Sequence, residues 1–268
     1  MKVAAVLLFA ILFFACKHKN SPDATIRAVD TSLHATADTD EGMTDYHMVK
    51  SDLDSMFNLY SDSSKFDKDE MWYSMHIGHL FGNSKKYAAM HYFMNDSVSE
   101  VLILKQSGER WDTIFTLHRQ ESGPNFYSIF DFYTFSDFNG DGIPDFKLVK
   151  HYWDIHPGEL SDLWLFKNDS FIPVKNFDEI ISAEYDKKTK QIYSYRSDGC
   201  ADMAMRFGVY KLVSDSIVQV EIVHCACCEG DSCQITIDDR KSYWVPMSKA
   251  YLHVPRFFSE DVKQKCSM

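Results

Sequence analysis

The sequence predicts a mainly β protein built of antiparallel meanders, and three observations carry that expectation. Short aromatic and β-branched runs recur from Met71 onward, turn residues punctuate them roughly every 8–12 residues, and no long amphipathic helix interrupts the rhythm. Crossover helices between strands would instead imply a parallel α/β sheet. The pattern leaves a sandwich, a barrel or a propeller, and no repeat period separates them.

The chain opens on an export signal. Lys2 is a short basic segment, Val3 to Phe14 is an unbroken apolar run, and Ala15 stands directly before Cys16. The run is shorter than the roughly 18–20 residues a helix needs to span a bilayer. Phe13-Phe14-Ala15-Cys16 resembles a bacterial lipobox, looser than usual at Phe13 and Phe14, which implies cleavage after Ala15 and lipidation of Cys16. A plain secretory signal is the alternative. Residues 1–15 are thus expected to be a lipoprotein signal peptide. Residues 16–45, polar with scattered apolars, are expected to be a flexible tether. The domain proper then runs over 46–268. It is placed in the bacterial cell envelope, at the periplasmic face of the outer membrane, and meets the membrane through the lipid anchor only.

Within the domain, Met48, Val49, Leu53, Met56, Phe57 and Tyr60 recur at spacings of three and four, which predicts a helix over Tyr46–Tyr60. Strands are predicted over Lys86–Met94, Val101–Lys105, Trp111–Leu117, Phe126–Phe135, Phe146–Trp153, Leu163–Phe166 and Phe171–Val174. Further strands are predicted over Ile180–Tyr185, Ile192–Tyr195, Met203–Val213, Ile217–Cys225, Cys233–Ile237 and Ser242–Pro246. Turns are expected at Asn95-Asp96, Ser107-Gly108, Ser122-Gly123-Pro124, Pro157-Gly158 and Asn168-Asp169.

With 268 residues, 45% of them hydrophobic and 15% aromatic, the chain is long enough to bury a full core. The net charge of −11 is uneven: Ser21 to Glu70 holds twelve acids and four bases, or −8. Nucleic acid is therefore not an expected partner, whereas a basic protein is permitted.

Asp137-Phe138-Asn139-Gly140-Asp141-Gly142-Ile143-Pro144-Asp145 places oxygen-bearing side chains at the first, third, fifth and ninth positions of a glycine-rich turn. Calcium takes six to eight oxygen ligands. Asp137, Asn139, Asp141, the Ile143 carbonyl and Asp145 are the candidate donors, and Gly142 permits the reversal. Leu148 stands where an EF-hand needs a bidentate Glu, and the flanks read as strands, so an EF-hand is excluded. An acidic Asx/Gly turn is the plain alternative. A calcium ion here is expected to be structural, since the loop oxygens are committed to it.

Apart from Cys16 the cysteines are Cys200, Cys225, Cys227, Cys228, Cys233 and Cys266. An even number in an exported chain predicts disulfides, with Cys227 or Cys228 joined to Cys233 across the Glu229–Asp231 turn. A zinc site from His224, Cys225, Cys228 and Cys233 is the alternative. His76, His79, His151 and His156 lie near aromatic residues without a ligand spacing. No G-x-S-x-G, H-E-x-x-H or phosphate-binding glycine loop is present, and no catalytic residue is assigned.

The calcium-type loop entered by an aromatic strand, followed by His151-Tyr152-Trp153, Leu163-Trp164-Leu165-Phe166, Phe171, Ile192-Tyr193-Ser194-Tyr195 and Gly199, resembles the calcium-binding β-propeller inhibitor lipoproteins. That family is typified by the immunity lipoprotein of the Xanthomonas type IV bacterial-killing system. The loop alone also resembles the FG-GAP or integrin-type calcium repeat. These resemblances imply a β-propeller after the signal and tether, with calcium held by Asp137, Asn139, Asp141, Ile143 and Asp145. They further imply a non-catalytic role, in which a protein partner such as a lysozyme-like peptidoglycan hydrolase is bound and inhibited. An envelope carbohydrate hydrolase on a β scaffold and a structural or adhesive envelope protein are the competing expectations.

Overall fold

The computed structural model describes residues 46–70, 72–95, 98–120, 133–152 and 158–266. The expected signal over 1–15, Cys16, the tether over 16–45, the turn at 122–124, Trp153 and His156 lie outside the described residues. The predicted helix α1 spans Tyr46–Tyr60. Among the described residues three antiparallel sheets follow, each a meander in which neighbours in sequence are neighbours in space.

The first sheet contains β1 (Phe66–Asp69), β2 (Tyr73–Gly78), β3 (Tyr87–Asn95), β4 (Val98–Ser107) and β5 (Arg110–Gln120). The second contains β6 (Tyr133–Ser136), β7 (Asp145–Tyr152), β8 (Glu159–Lys167) and β9 (Ser170–Pro173). The third contains β10 (Glu184–Asp186), β11 (Gln191–Gly199), β12 (Ala204–Val213), β13 (Ser216–Glu229), β14 (Ser232–Ile237) and β15 (Lys241–Pro246). The 3₁₀ segments Met247–His253 and Arg256–Phe258 and the helix α2 (Ser259–Lys265) end the chain.

The sheets pack face to face because successive side chains along a strand point to opposite faces. On β3, Tyr87 and Ala89 join Phe146, Leu148 and Phe166 of the second sheet. Ala88, Met90 and Tyr92 join Val49 and Leu53 of α1 on the other face. Tyr87 through Phe93 are consequently all buried, and the strand reads as a continuous apolar run instead of an alternating one. On β8, Leu163 and Leu165 turn the other way, to Phe177, Ile192 and Ile217 against the third sheet. Its far face packs Phe207, Val223 and Ile235 under Phe258 and Val262 at the chain's end.

The order of packing is therefore α1, first sheet, second sheet, third sheet, C-terminal helices. Among the described residues the two outermost faces are covered by helical segments.

Several boundaries depart from the sequence reading. Ile180 to Ala183 is not strand: Phe177–Glu179 forms a 3₁₀ turn that buries Phe177, and β10 is only Glu184–Asp186. Hydrophobicity at Ile180 and Ile181 serves burial beneath that turn, which short apolar runs do not distinguish from a strand. The edge strand β1, Phe-Asp-Lys-Asp, is too polar to read as one. It is an edge whose charges blunt further pairing.

The Asn168-Asp169 turn is where expected, with both residues at positive φ (54° and 60°), as a two-residue type I′ hairpin requires. Asp169 also ties two sheets together. Its carboxylate accepts from Lys85 Nζ at 2.6 Å, Lys105 Nζ at 2.9 Å and Tyr87 Oη at 2.8 Å. The Lys85 hydrogen bond first, then those from Lys105 and Tyr87, hold its carboxyl down at about 2.

Candidate functional site

The nine-residue loop forms the end of the β6–β7 hairpin, where Ser136 pairs with Asp145. Its conformation is written by side-chain oxygens that accept backbone amides. Gly140 N donates to Asp137 Oδ1 at 2.6 Å and Gly142 N to Asp137 Oδ2 at 3.1 Å. Asp141 N donates to Asn139 Oδ1 and Ile143 N to Asp141 Oδ1, both at 2.8 Å. Each acceptor thus fixes the residue two, three or five positions ahead, the Asx-turn logic that makes Asp and Asn turn formers.

Both loop glycines have positive φ, 76° at Gly140 and 85° at Gly142. At Gly140 there is a second constraint. A Cβ there would lie 2.2 Å from the Tyr185 hydroxyl, so β10 closes directly over the loop.

Asp145 is the anchor. It is fully buried, with Oδ2 accepting from Phe138 N at 2.9 Å and Oδ1 from Phe166 N at 3.1 Å. The loop is thereby bonded to the end of β8. Burial pushes the Asp145 carboxyl up to about 6; the two amides oppose this, and Asp141 and Asp137 add to it.

The donor chemistry fits a hard cation: three carboxylates, one amide oxygen and a backbone carbonyl, with no nitrogen or sulfur. Each bonded carboxylate oxygen retains a further lone-pair site after accepting one amide. The carboxylates nevertheless stand apart. Among the described residues, Cys225, Cys227 and Cys233 bring three ligand atoms within 4.8 Å of one another, and Asp137, Asp141 and Asp145 do not. A bound ion would have to draw these carboxylates together. Asp137, Asn139, Asp141, Asp145 and the Ile143 carbonyl are the residues that would hold it.

The cysteines gather at the far end of the third sheet. Cys227 is bridged to Cys233 across the β13–β14 turn, with Cα atoms 4.1 Å apart. Cys228 is bridged to Cys200, in the β11–β12 turn, with Cα atoms 5.7 Å apart. Cys225 is a buried free thiol and Cys266 a partly exposed one. Burial pushes the Cys225 thiol up to about 12, which suppresses the reactive thiolate.

The alternative zinc quartet is not assembled. Cys228 and Cys233 belong to different bridges, and His224 is engaged by Arg206, whose Nη1 donates to Nε2 at 2.5 Å. Sequence spacing could not have assigned Cys200, because its partner lies 28 residues away and only strand register brings the two together.

His76 and His79 are occupied. His76 sits between Asp67 and Asp69, at 2.9 and 3.1 Å, and His79 Nδ1 donates to the Lys85 carbonyl at 2.9 Å. A cavity of about 640 Å³ lies beside the loop and presents Asp141 and Asp215. Asp141 is part of the loop network, and Asp215 is held below the usual carboxylate range by Lys175. A glycosidase acid needs the opposite shift. A second cavity, of about 510 Å³, is lined by Arg196, Arg206 and Tyr210 of the third sheet. No sequence motif marks it.

The fold and site together define an antiparallel β protein of stacked meander sheets with an amide-braced acidic hairpin loop. No family model matches the sequence, and no curated protein matches it. A solved structure of a Xanthomonas type IV secretion system related protein is similar at 14% identity over 69% of this chain and 94% of that chain, with a TM-score of 0.39. A likeness of that size carries no argument about function. No helix among the described residues is long and apolar enough to cross a membrane.

Proposed function

We propose that the chain is a non-catalytic, calcium-stabilised binding protein of the bacterial cell envelope, anchored through a lipid on Cys16. On this reading its sheets are propeller-like blades, and its loops hold a protein partner. A lysozyme-like peptidoglycan hydrolase is the partner to test first.

The observation that carries the proposal is the loop itself. Three carboxylates are positioned by backbone amides within nine residues, and one is fully buried with its proton affinity raised. A divalent cation would offset the negative charge that the loop collects, and binding to the folded state alone raises stability. Asp215, which lines the cavity beside the loop, is held below the usual carboxylate range by Lys175, the opposite of what a glycosidase acid needs, and this supports a binding role over a hydrolytic one.

Thermal melting in calcium and in chelator tests the ion. At a free concentration a hundred times the dissociation constant the gain is about 2.7 kcal/mol. Equal melting temperatures in both buffers would remove calcium from the proposal. Titration against a panel of muramidases tests the partner, and full muramidase activity at micromolar protein would remove the inhibitor role.

A further inference from the structure

We propose that the 510 Å³ cavity on the third sheet is a binding site for a small zwitterionic ligand of the amino-acid or short-peptide type. Its carboxylate would sit on Arg196 and Arg206, and its ammonium would face Glu179.

Strand register brings the two arginines together. Arg196 on β11 and Arg206 on β12 are directly opposed partners. Like charges in that position destabilise a sheet unless something of opposite charge lies between them. Neighbours compensate the pair only in part. Arg196 Nε is bonded to Asp198 Oδ1 at 2.6 Å, which leaves its two terminal nitrogens without a hydrogen-bond partner among the described residues. Arg206 gives Nη1 to His224, and its Nη2 lies 3.9 Å from Asp239, beyond hydrogen-bond distance. His224 brings no negative charge; burial and then Arg206 depress its proton affinity.

Tyr210 completes the donor set. Gly208 has no side chain to hold Tyr210 away: a Cβ there would lie 2.4 Å from the ring, so the tyrosine lies across the strand and lines the cavity. Its hydroxyl has no hydrogen-bond partner among the described residues and feels both arginines and Glu179. Two guanidiniums and a phenol therefore converge on one space, the arrangement that recognises a planar carboxylate.

The rim supplies the opposite sign. Glu179, in the 3₁₀ turn Phe177–Glu179, lines the same cavity and makes no ion pair among the described residues. Asn176 and Gln219 add neutral polar groups at the mouth. A multiply charged anion would meet Glu179 unfavourably, whereas a ligand with an ammonium group would not. The volume lies within the range of small-ligand sites. This site is separate from the acidic loop and independent of any protein partner.

Calorimetric titration with three probes tests the proposal: alanyl-alanine, N-acetyl-alanyl-alanine, which lacks the ammonium, and alanyl-alanine amide, which lacks the carboxylate. The dipeptide should bind about tenfold more tightly than either blocked form, a difference of about 1.4 kcal/mol. Arg206→Gln should weaken the dipeptide at least about tenfold, and Glu179→Gln should erase the difference between free and acetylated dipeptide. Tyr210→Phe, which removes only the hydroxyl, gives a milder loss and guards against a misfolded arginine variant. Equal affinity for all three probes, no heat with the dipeptide at millimolar concentration, or unchanged binding in a natively melting Arg206→Gln protein would each overturn the proposal.

Discussion

The Asp137–Asp145 loop and the corner where β13 meets the β11–β12 turn solve one problem by different chemistry. In both, chain at the end of a strand must be fastened to a neighbour where the ladder is irregular or absent. The loop uses carboxylates on backbone amides, including a fully buried Asp145 bonded to the start of the loop and to β8. The corner uses covalent bonds, from adjacent residues Cys227 and Cys228 to Cys233 and Cys200. The first fastening answers to protons and, on the proposed calcium binding, to cations; the second answers to reductants. A single domain thus contains two regions whose stabilities respond to different solution variables.

The largest expected effect is at the corner. Cys200–Cys228 closes a loop of 28 residues' separation, worth about 3.5 kcal/mol by chain entropy, and the shorter Cys227–Cys233 loop is worth about 2.4 kcal/mol. Cys200→Ser with Cys228→Ser should therefore lower stability more than Cys227→Ser with Cys233→Ser, as read by denaturant unfolding. The reverse order would show that native-state strain dominates the comparison.

Asp145 comes next. Its folded carboxyl titrates near 6 and an unfolded one near 3.9, so the folded state holds its proton more tightly. In chelator, stability should fall as pH rises from about 4 to about 6, by about 3 kcal/mol in all. Asp145→Asn should flatten that slope, and calcium should offset the loss above pH 6. A slope that survives Asp145→Asn would place its origin elsewhere.

Asp169 provides the opposite sign. Its carboxyl is held near 2, so its contribution is complete above about 3.9 and is lost as pH falls toward 2. Asp169→Asn should cost about 2 kcal/mol at neutral pH and nothing further in strong acid. Acid unfolding of the two variants separates the windows.

The smallest effect is at the glycine beneath Tyr185. Gly140→Ala should cost about 1–2 kcal/mol, from positive φ and from the Tyr185 hydroxyl. In a Tyr185→Phe background only the backbone part, about 1 kcal/mol, should remain.

How far these features were legible follows from their range along the chain. The α1 stripe, most strands and the Asn168-Asp169 turn depend on residues within a few positions, and the sequence reading places them. The acidic loop was legible as a pattern, but not the burial of Asp145, which depends on Phe166 lying 21 residues on. Cys200, Asp169 and the Arg196–Arg206 pair take their roles from register and from sheet-to-sheet packing, which local pattern does not encode. The ring implied by the family resemblance depends on how the outer faces are covered. Here α1 and the C-terminal helices cover them.

That manner of covering has a consequence for how such a chain changes length. Buried apolar layers join the first sheet to the second and the second to the third. Another meander inserted between two sheets would meet surfaces like those already there. The helical segments at each end would need no alteration, since they face only the outermost sheets. The architecture can therefore grow or shrink by whole meanders, whereas a closed ring must readjust the angle between every pair of blades when one is added.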